Sequence, residues 1–338
     1  LALIGICLTA GWLPQAPAQL PSGASPLTPA EADLPNNDYA TQVLRGGWEL
    51  PDWVVRNGAM FLKRYNPNCN PLVSDPGTGD PLLDLGDQDF GWGSGIELSG
   101  LRAINATDQI EARFFGVWDW EAAQSLLAMG PVSLDLAVPN VTPAGGTLAT
   151  DYDSRLFSTE LNFRRRWAPG FSWLAGVRWL ELRDDFDLLV SMPSLQAATL
   201  LGARTRNDLI GAQLGVDGTF WDFGGPLRIE GLLKWGVYGN VASVQGSLVT
   251  DDGLNPVVTQ SIDQRHSDAA YVGEIGLTAL YRCTSWLSLR VSGTTLWVDE
   301  VALASDQLPL LNFPAQTGSD SGGHAFYHGL TVGLELRR

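Results

Sequence analysis

The residues of this chain whose types could do chemistry are three histidines, a tight group of aspartates and one glycine-rich stretch. His266 lies between Asp263 and Asp268, a spacing that would let a carboxylate orient an imidazole to activate a water or a hydroxyl. Asp and His are equally the ordinary content of a polar loop, and no G-x-S-x-G elbow accompanies them. His324 and His328 share no metal-ligand spacing with His266. Asp80, Asp84, Asp87 and Asp89 gather enough carboxylate to interest Ca²⁺, yet they lack the D-x-D-x-D-G pattern; they are weak cation candidates set against solvated loop charge. Gly91-Trp92-Gly93-Ser94-Gly95 lacks the G-x-G-x-x-G spacing and no helix follows it. Its glycines read as bends in a strand, or as room for bulky neighbours. The chain therefore reads as a non-enzyme that requires no cofactor.

Strands must position these residues. From Gly58 onward the apolar residues recur with period two. Leu227, Ile229, Leu233, Trp235, Val237 and Val241 share one face, while Arg228, Glu230, Lys234 and Asn240 share the other. The same alternation marks 59–64, 92–102, 110–120, 157–164, 171–182, 209–221, 269–282, 287–297 and 326–337, giving ten candidate strands with a range of eight to twelve. Short turns at 105–108, 168–170, 222–226 and 283–285 alternate with long links at 66–90, 121–153, 184–205, 245–268 and 299–322. This pattern predicts an all-β fold: an antiparallel transmembrane β-barrel with short periplasmic turns, long extracellular loops and both chain ends in the periplasm.

Alternation also assigns the faces. The predicted lumen is lined by Glu97, Glu111, Arg113, Glu160, Asn162, Arg164, Arg178, Gln213, Asp217, Arg228, Glu230, Lys234, Glu274, Arg290 and Glu335, with Asp119, Arg166, Arg282 and Arg337 on the same face. Its eight acids and nine bases nearly cancel, which suggests a charge-paired interior. The predicted girdle at the lipid boundaries is Trp118, Trp120, Trp167, Trp173, Trp179, Trp221, Tyr238, Tyr281, Trp286 and Trp297. The rival explanation, aromatics packing a soluble sandwich, leaves the alternating loop lengths unexplained.

Composition narrows the field further. The net charge of −16, from 37 acids against 21 bases, argues against a nucleic-acid binder. The five long links hold 20 acids and only two bases, Arg204 and Arg265, so the acidity belongs to one rim. That rim suggests divalent cations shared with anionic glycolipids, or simple repulsion of anions. Residues 1–13 are apolar and Ala16-Pro17-Ala18 follows, so 1–18 read as the later part of an export signal. Residues 19–57 read as a flexible Pro- and Asp-rich periplasmic segment, leaving 58–338 for the barrel. Export would permit Cys69 and Cys283 to pair, although nothing in the sequence brings them together.

Several stretches resemble the β-barrel porin family of planctomycete outer membranes: Gly95–Leu101 (GIELSGL), Ser154–Arg166 (SRLFSTELNFRRR), Leu174–Leu182 (LAGVRWLEL), Asn207–Asp217 (NDLIGAQLGVD) and Lys234–Ala242 (KWGVYGNVA). The resemblance runs from about Ala59 to the C-terminus. It implies an outer-membrane barrel with a loosely defined transport role and carries over no catalytic residue. One departure is the end, Leu336-Arg337-Arg338, where such barrels commonly close on an aromatic.

The expectation is thus an outer-membrane protein, structural or porin-like, with a narrow or plugged lumen. A small-solute pore and a barrel-rim hydrolase are the alternatives. Expected partners are outer-membrane lipids and glycolipids, divalent cations at the acidic loops, and no nucleic acid; the oligomeric state is open. On a detergent gel, the unheated protein is expected to migrate apart from the boiled protein, and identical mobilities would count against a barrel.

Overall fold

The computed structural model describes residues 50–65, 71–128, 132–134, 141–142, 146–222 and 224–338. The predicted export signal, most of segment 19–57, and Cys69 lie outside the described residues. Cys283 is a free, exposed thiol.

The described strands are β1 (Trp53–Tyr65), β2 (Pro71–Ser74), β3 (Pro81–Asp84), β4 (Trp92–Ala103), β5 (Asp108–Leu127), β6 (Val132–Leu134), β7 (Val141–Thr142), β8 (Thr147–Ala168), β9 (Phe171–Met192), β10 (Ala197–Asp222), β11 (Leu227–Asp251), β12 (Val258–Arg282), β13 (Leu287–Val301) and β14 (Gly323–Arg337). Ten of them close a barrel in the order β1-β14-β13-β12-β11-β10-β9-β8-β5-β4. Closure is made by β1, whose Gly58 stands opposite Gly333 of β14 on one side and Glu97 of β4 on the other. The remaining four form a small sheet in the order β3-β2-β6-β7, drawn from the links that precede β4 and β8. The first barrel strand starts at Trp53, earlier than the expected Ala59.

Tight turns join β4 to β5, β8 to β9, β10 to β11 and β12 to β13, all at one end. The β8–β9 turn needs Gly170, whose φ of 74° is a left-handed conformation that costs a side-chain-bearing residue about 1 kcal/mol or more. At the other end, the strands run further than the sequence pattern suggests. β9 and β10 are joined across 193–196 and β11 and β12 across 252–257, so much of what reads as loop at 184–205 and 245–268 is tall hairpin. At about 3.3 Å per residue, the 26-residue β10 extends roughly 85 Å along its length, well past the 9–11 residues that cross a bilayer. At one hairpin tip, the Asn255 side-chain amide and the backbone N–H groups of Asn255 and Leu254 bond the Asp252 carboxylate and hold its pKa at about 2.

The reason these hairpins read as loops is an inversion of the alternation. Toward the turn end, apolar side chains point outward: Leu161, Val177, Ile210, Leu214, Trp235 and Leu277 are all exposed on the barrel wall. Beyond that band the outer wall carries Asp151, Arg183 and Arg204, while Leu148, Tyr152, Phe186, Leu188, Leu201 and Ala203 turn inward and are buried. A wall facing hydrocarbon must be apolar outside; one facing water must bury its apolar residues inside. The inward residues pack with Leu72, Val73, Leu83, Leu85 and Phe90 from the first link, and with Leu303, Leu308, Leu311 and Phe313 from the last, in one contiguous core. The last link is pinned by Asn207 of β10, whose side chain bonds both the carbonyl and the N–H of Ala302 at 2.7 and 2.8 Å.

Three residues face differently from the sequence expectation. A bulge in β5 sets three residue steps, Val117 to Trp120, against the two from Leu156 to Ser154 on β8. The extra residue reverses the parity of the strand beyond it. Asp119 therefore sits outside, bonded by the Ser94 backbone and hydroxyl. Trp120 leaves the expected girdle for the interior, fully buried, with Nε1–H donated to the Leu62 carbonyl at 2.8 Å. Gly93 makes the room: a β-carbon there would lie 2.5 Å from the indole nitrogen. Tyr238 also turns inward, because it shares the parity of Lys234; its hydroxyl bonds Gln213.

Trp120→Ala is expected to lower stability in detergent micelles by about 3–5 kcal/mol, as large aromatic core truncations do, and Trp118→Ala by much less. Equal shifts in denaturant midpoint would show that the bulge does not set the parity of β5.

Candidate functional site

The lumen faces of the strands supply a layered set of charges. In the middle layer, Arg113 of β5 donates to Glu97 at 2.8 Å, to Glu160 at 3.1 Å and to Glu274 at 2.5 Å. Arg290 completes Glu97 at 2.6 Å, and Arg178 reaches Glu274 at 3.1 Å. Glu160 also accepts from Lys234 and Gln213, each at 2.7 Å, and from Asn162 at 3.1 Å. Arg164 binds Glu111 at 2.9 Å and also Asp217. These groups come from β4, β5, β8, β9, β10, β11, β12 and β13. β5 and β12 lie opposite one another in the ring, so the Arg113–Glu274 pair spans the barrel's diameter.

The layer balances charge with charge. Five bases, Arg113, Arg164, Arg178, Lys234 and Arg290, face five acids, Glu97, Glu111, Glu160, Asp217 and Glu274, and all but Asp217 are buried. A buried carboxylate without a partner costs several kcal/mol, and burial is tolerated only where partners and further hydrogen bonds replace water. Toward the turn end a more open layer follows. Arg56 pairs with Glu335 at 2.7 Å, Arg228 with Glu230 at 2.7 Å, and Arg337 with Glu335. Between the two layers remains a polar cavity of about 50 Å³, lined by residues that include Arg56, Glu111, Arg113, Asp217 and Glu230.

One buried pair escapes the sequence reading. Arg64 of β1 donates to both carboxylate oxygens of Asp184 of β9, at 2.6 and 2.8 Å, and to Ser154. Tyr152 donates its hydroxyl to the same carboxylate at 2.7 Å. The guanidinium also lies over the rings of Phe90 and Tyr152, 4.9 and 5.3 Å from their centres. Asp184 reads as loop acidity, yet its parity matches Arg178, Leu180 and Leu182; continuing the alternation of β9 by one step would have found it.

The remaining expected residues fall as follows. Trp118, Trp167, Trp221 and Tyr281 are exposed on the outer wall, Trp173, Trp179 and Trp297 are half-buried there, and Trp286 is exposed in the turn between β12 and β13. The sequence reading missed an aromatic cluster on the same wall: Tyr65 stacks on His328 at 5.0 Å, and Trp92 meets it edge-on at 6.1 Å. Among the described side chains, the aspartates of the first link are not brought together. Asp84 caps the 3₁₀ turn that follows it by bonding Gly86 N–H at 2.7 Å, Asp89 pairs with Lys63 at 2.6 Å, Asp80 is exposed, and the side chain of Asp87 lies outside the described residues. Among the described residues, no group of three or more His, Cys, Asp and Glu side chains is placed to hold a metal ion.

His266 is bonded to neither Asp263 nor Asp268. Its Nε2 meets Ser319 Oγ, which in turn donates to Gln264 Oε1. Ser319 is thus shared between His266 and Gln264, and neither aspartate orients the imidazole.

Glu160→Gln is expected to destabilise the barrel by about 3–5 kcal/mol, because it leaves Lys234 and Arg113 undercompensated in a buried layer. Arg204→Gln, which breaks an exposed pair with Asp185, is expected to cost under about 1 kcal/mol. Comparable unfolding midpoints for the two variants would refute the burial argument.

Among solved structures, the chain is similar to the outer membrane protease OmpT from Escherichia coli, at 13% identity and a TM-score of 0.47, over 85% of this chain and 97% of that one. It is also similar to a Pseudomonas aeruginosa FadL homologue, at 10% identity and a TM-score of 0.30, over 84% of this chain and 89% of that one. A third likeness is to the translocator domain of autotransporter NalP from Neisseria meningitidis, at 10% identity and a TM-score of 0.36, over 89% and 95%. No curated protein matches the chain. A family match covers residues 77–337, from the first link through nine of the ten barrel strands, and on that extent the chain belongs to the family described as Putative beta barrel porin-7.

Proposed function

We propose that this protein is a closed barrel of the outer membrane, a structural wall protein of porin-like build rather than an open diffusion channel. The observation that supports this reading is the Arg113–Glu274 pair at 2.5 Å, which joins opposite strands of the ring with both side chains buried. An ion or solute crossing the lumen would have to separate that pair together with its neighbours Glu97, Glu160 and Arg178. A ten-strand ring is only slightly wider than the eight-strand case that side chains fill, whereas aqueous channels occur in barrels of 16–18 strands. The inward-folded last link adds a second closure, with Leu303, Ala304 and Gln307 buried beyond the charged layer.

The same reading is non-enzymatic. Among the described residues, the histidine with a hydroxyl partner is His266; it lacks a bonded carboxylate, and its Ser319 partner also bonds Gln264. Membership of a porin family points the same way.

Purified protein in planar bilayers is expected to give no discrete conductance steps at ordinary voltages. Regular steps from the wild-type protein, abolished by cross-linking β5 to β12, would replace this reading with a narrow solute pore.

A further inference from the structure

The outer wall of the tall hairpins carries arginines in register. Arg155 of β8 stands opposite Arg183 of β9, and Arg183 opposite Arg206 of β10. Arg206 faces Ser243 of β11, which in turn faces Arg265 of β12. All four arginines point outward and are exposed, and Arg204 stands one outward position further along β10.

Like charges directly opposite one another in a ladder repel, so this row needs compensation. Part comes from the protein: Glu181 lies beneath the row, bonded at 2.7 Å by both Arg183 and Arg206, Asp208 pairs with Arg206 at 2.9 Å, and Asp185 pairs with Arg204 at 3.0 Å. Arg155 and Arg265 have no carboxylate within salt-bridge distance among the described residues. A groove of about 460 Å³ opens here, with Arg183, Arg204, Arg206, Arg265 and Ser243 among its walls. Its four arginines exceed its two carboxylates, Asp185 and Asp208, which leaves it suited to a multivalent anion.

The position selects the kind of anion. Along each strand, the row begins within a few residues of the end of the continuous apolar band on the outer face, at Phe157 on β8, Trp179 on β9, Ile210 on β10 and Val241 on β11; Leu189 and Leu200 are isolated apolar positions further out. The end of that band is where the hydrocarbon of a bilayer gives way to headgroups. Further along the same outer face the sign reverses, with Asp151, Asp153, Asp187 and Asp263. The basic row is thus confined between an apolar band and an acidic one. A soluble anion approaching from outside would meet the acids first, whereas a lipid arrives from the band below with its chains against Val177, Ile210 and Val241.

We propose that this arginine row binds the phosphate groups of a phosphorylated glycolipid in the outer leaflet. Arginine is suited to the task because its planar fork makes two parallel hydrogen bonds to a phosphate and keeps its charge at every working pH. The proposal rests on the membrane placement above but not on the closure of the lumen.

The test uses the full-length protein reconstituted in phosphatidylcholine bilayers containing bis-phosphorylated lipid A, with fully dephosphorylated lipid A and millimolar inorganic phosphate as separate arms. Lipid retained by the protein is quantified by native mass spectrometry. The wild type is expected to retain the bis-phosphorylated lipid at least tenfold better than the dephosphorylated one, and free phosphate is expected not to displace it. The R183Q/R206Q/R265Q variant, altered only at exposed positions, is expected to lose that preference, while an R102Q/R165Q control near the turn end keeps it. A variant that retains the lipid as the wild type does would overturn the proposal, and so would displacement by free phosphate. A wild type that never enters phosphatidylcholine bilayers would remove the membrane placement itself; one that inserts without discriminating removes this proposal alone.

Discussion

The rest of this structure depends on one constraint: ten strands close around an interior lined by charged side chains that meet across it. Opposite walls approach closely enough for Arg113 to bond Glu274 directly. Where such side chains are buried, each must find its counter-charge among the other walls, because a lone buried ion costs far more than a hydrogen bond returns. The five-to-five balance of the middle layer meets that requirement, and it ties eight strands into one polar network. Such pairing adds little net stability over an apolar filling of the same shape, but it makes one register of the ring far better than its neighbours, since a slip of one residue would turn these charges into the lipid.

The inversion of alternation along the tall hairpins follows from the same accounting of solvent. Within the apolar band the wall faces hydrocarbon and the interior must be polar and self-satisfied. Past the band the wall faces water, so apolar residues turn inward and need a filling of their own. The connecting segments supply it, which explains why the first and last links bury Leu72, Val73, Leu303 and Leu311 rather than extending away as polar loops. The Arg64–Asp184 pair sits where the two regimes meet, a buried charge pair flanked by the rings of Phe90 and Tyr152. The arginine row marks the same transition on the outside.

The rim acidity is accordingly less uniform than composition suggests. Asp184 is consumed by Arg64, Asp89 by Lys63 and Asp185 by Arg204, so three of the acids read as loop charge are in ion pairs. Much of the remainder stands on strand rather than on loop. The bulge in β5 has the same lesson on a smaller scale: a single inserted residue moved Asp119 out and Trp120 in, and nothing in the local alternation of Trp118, Asp119 and Trp120 announces it.

Residue order by itself determined the ten alternating barrel strands, the gathering of the tight turns at one end, and which residues share a face along each strand. These follow from the two-residue pleat, a local property that every strand writes into its own sequence. Only the tertiary structure decided which charges meet across the ring, where the hairpins outrun the apolar band, and which outward arginines stand side by side. Those depend on register and closure, which are set jointly by all ten strands, and on solvent changing from lipid to water along one strand. A pattern read one strand at a time contains the faces but not their partners.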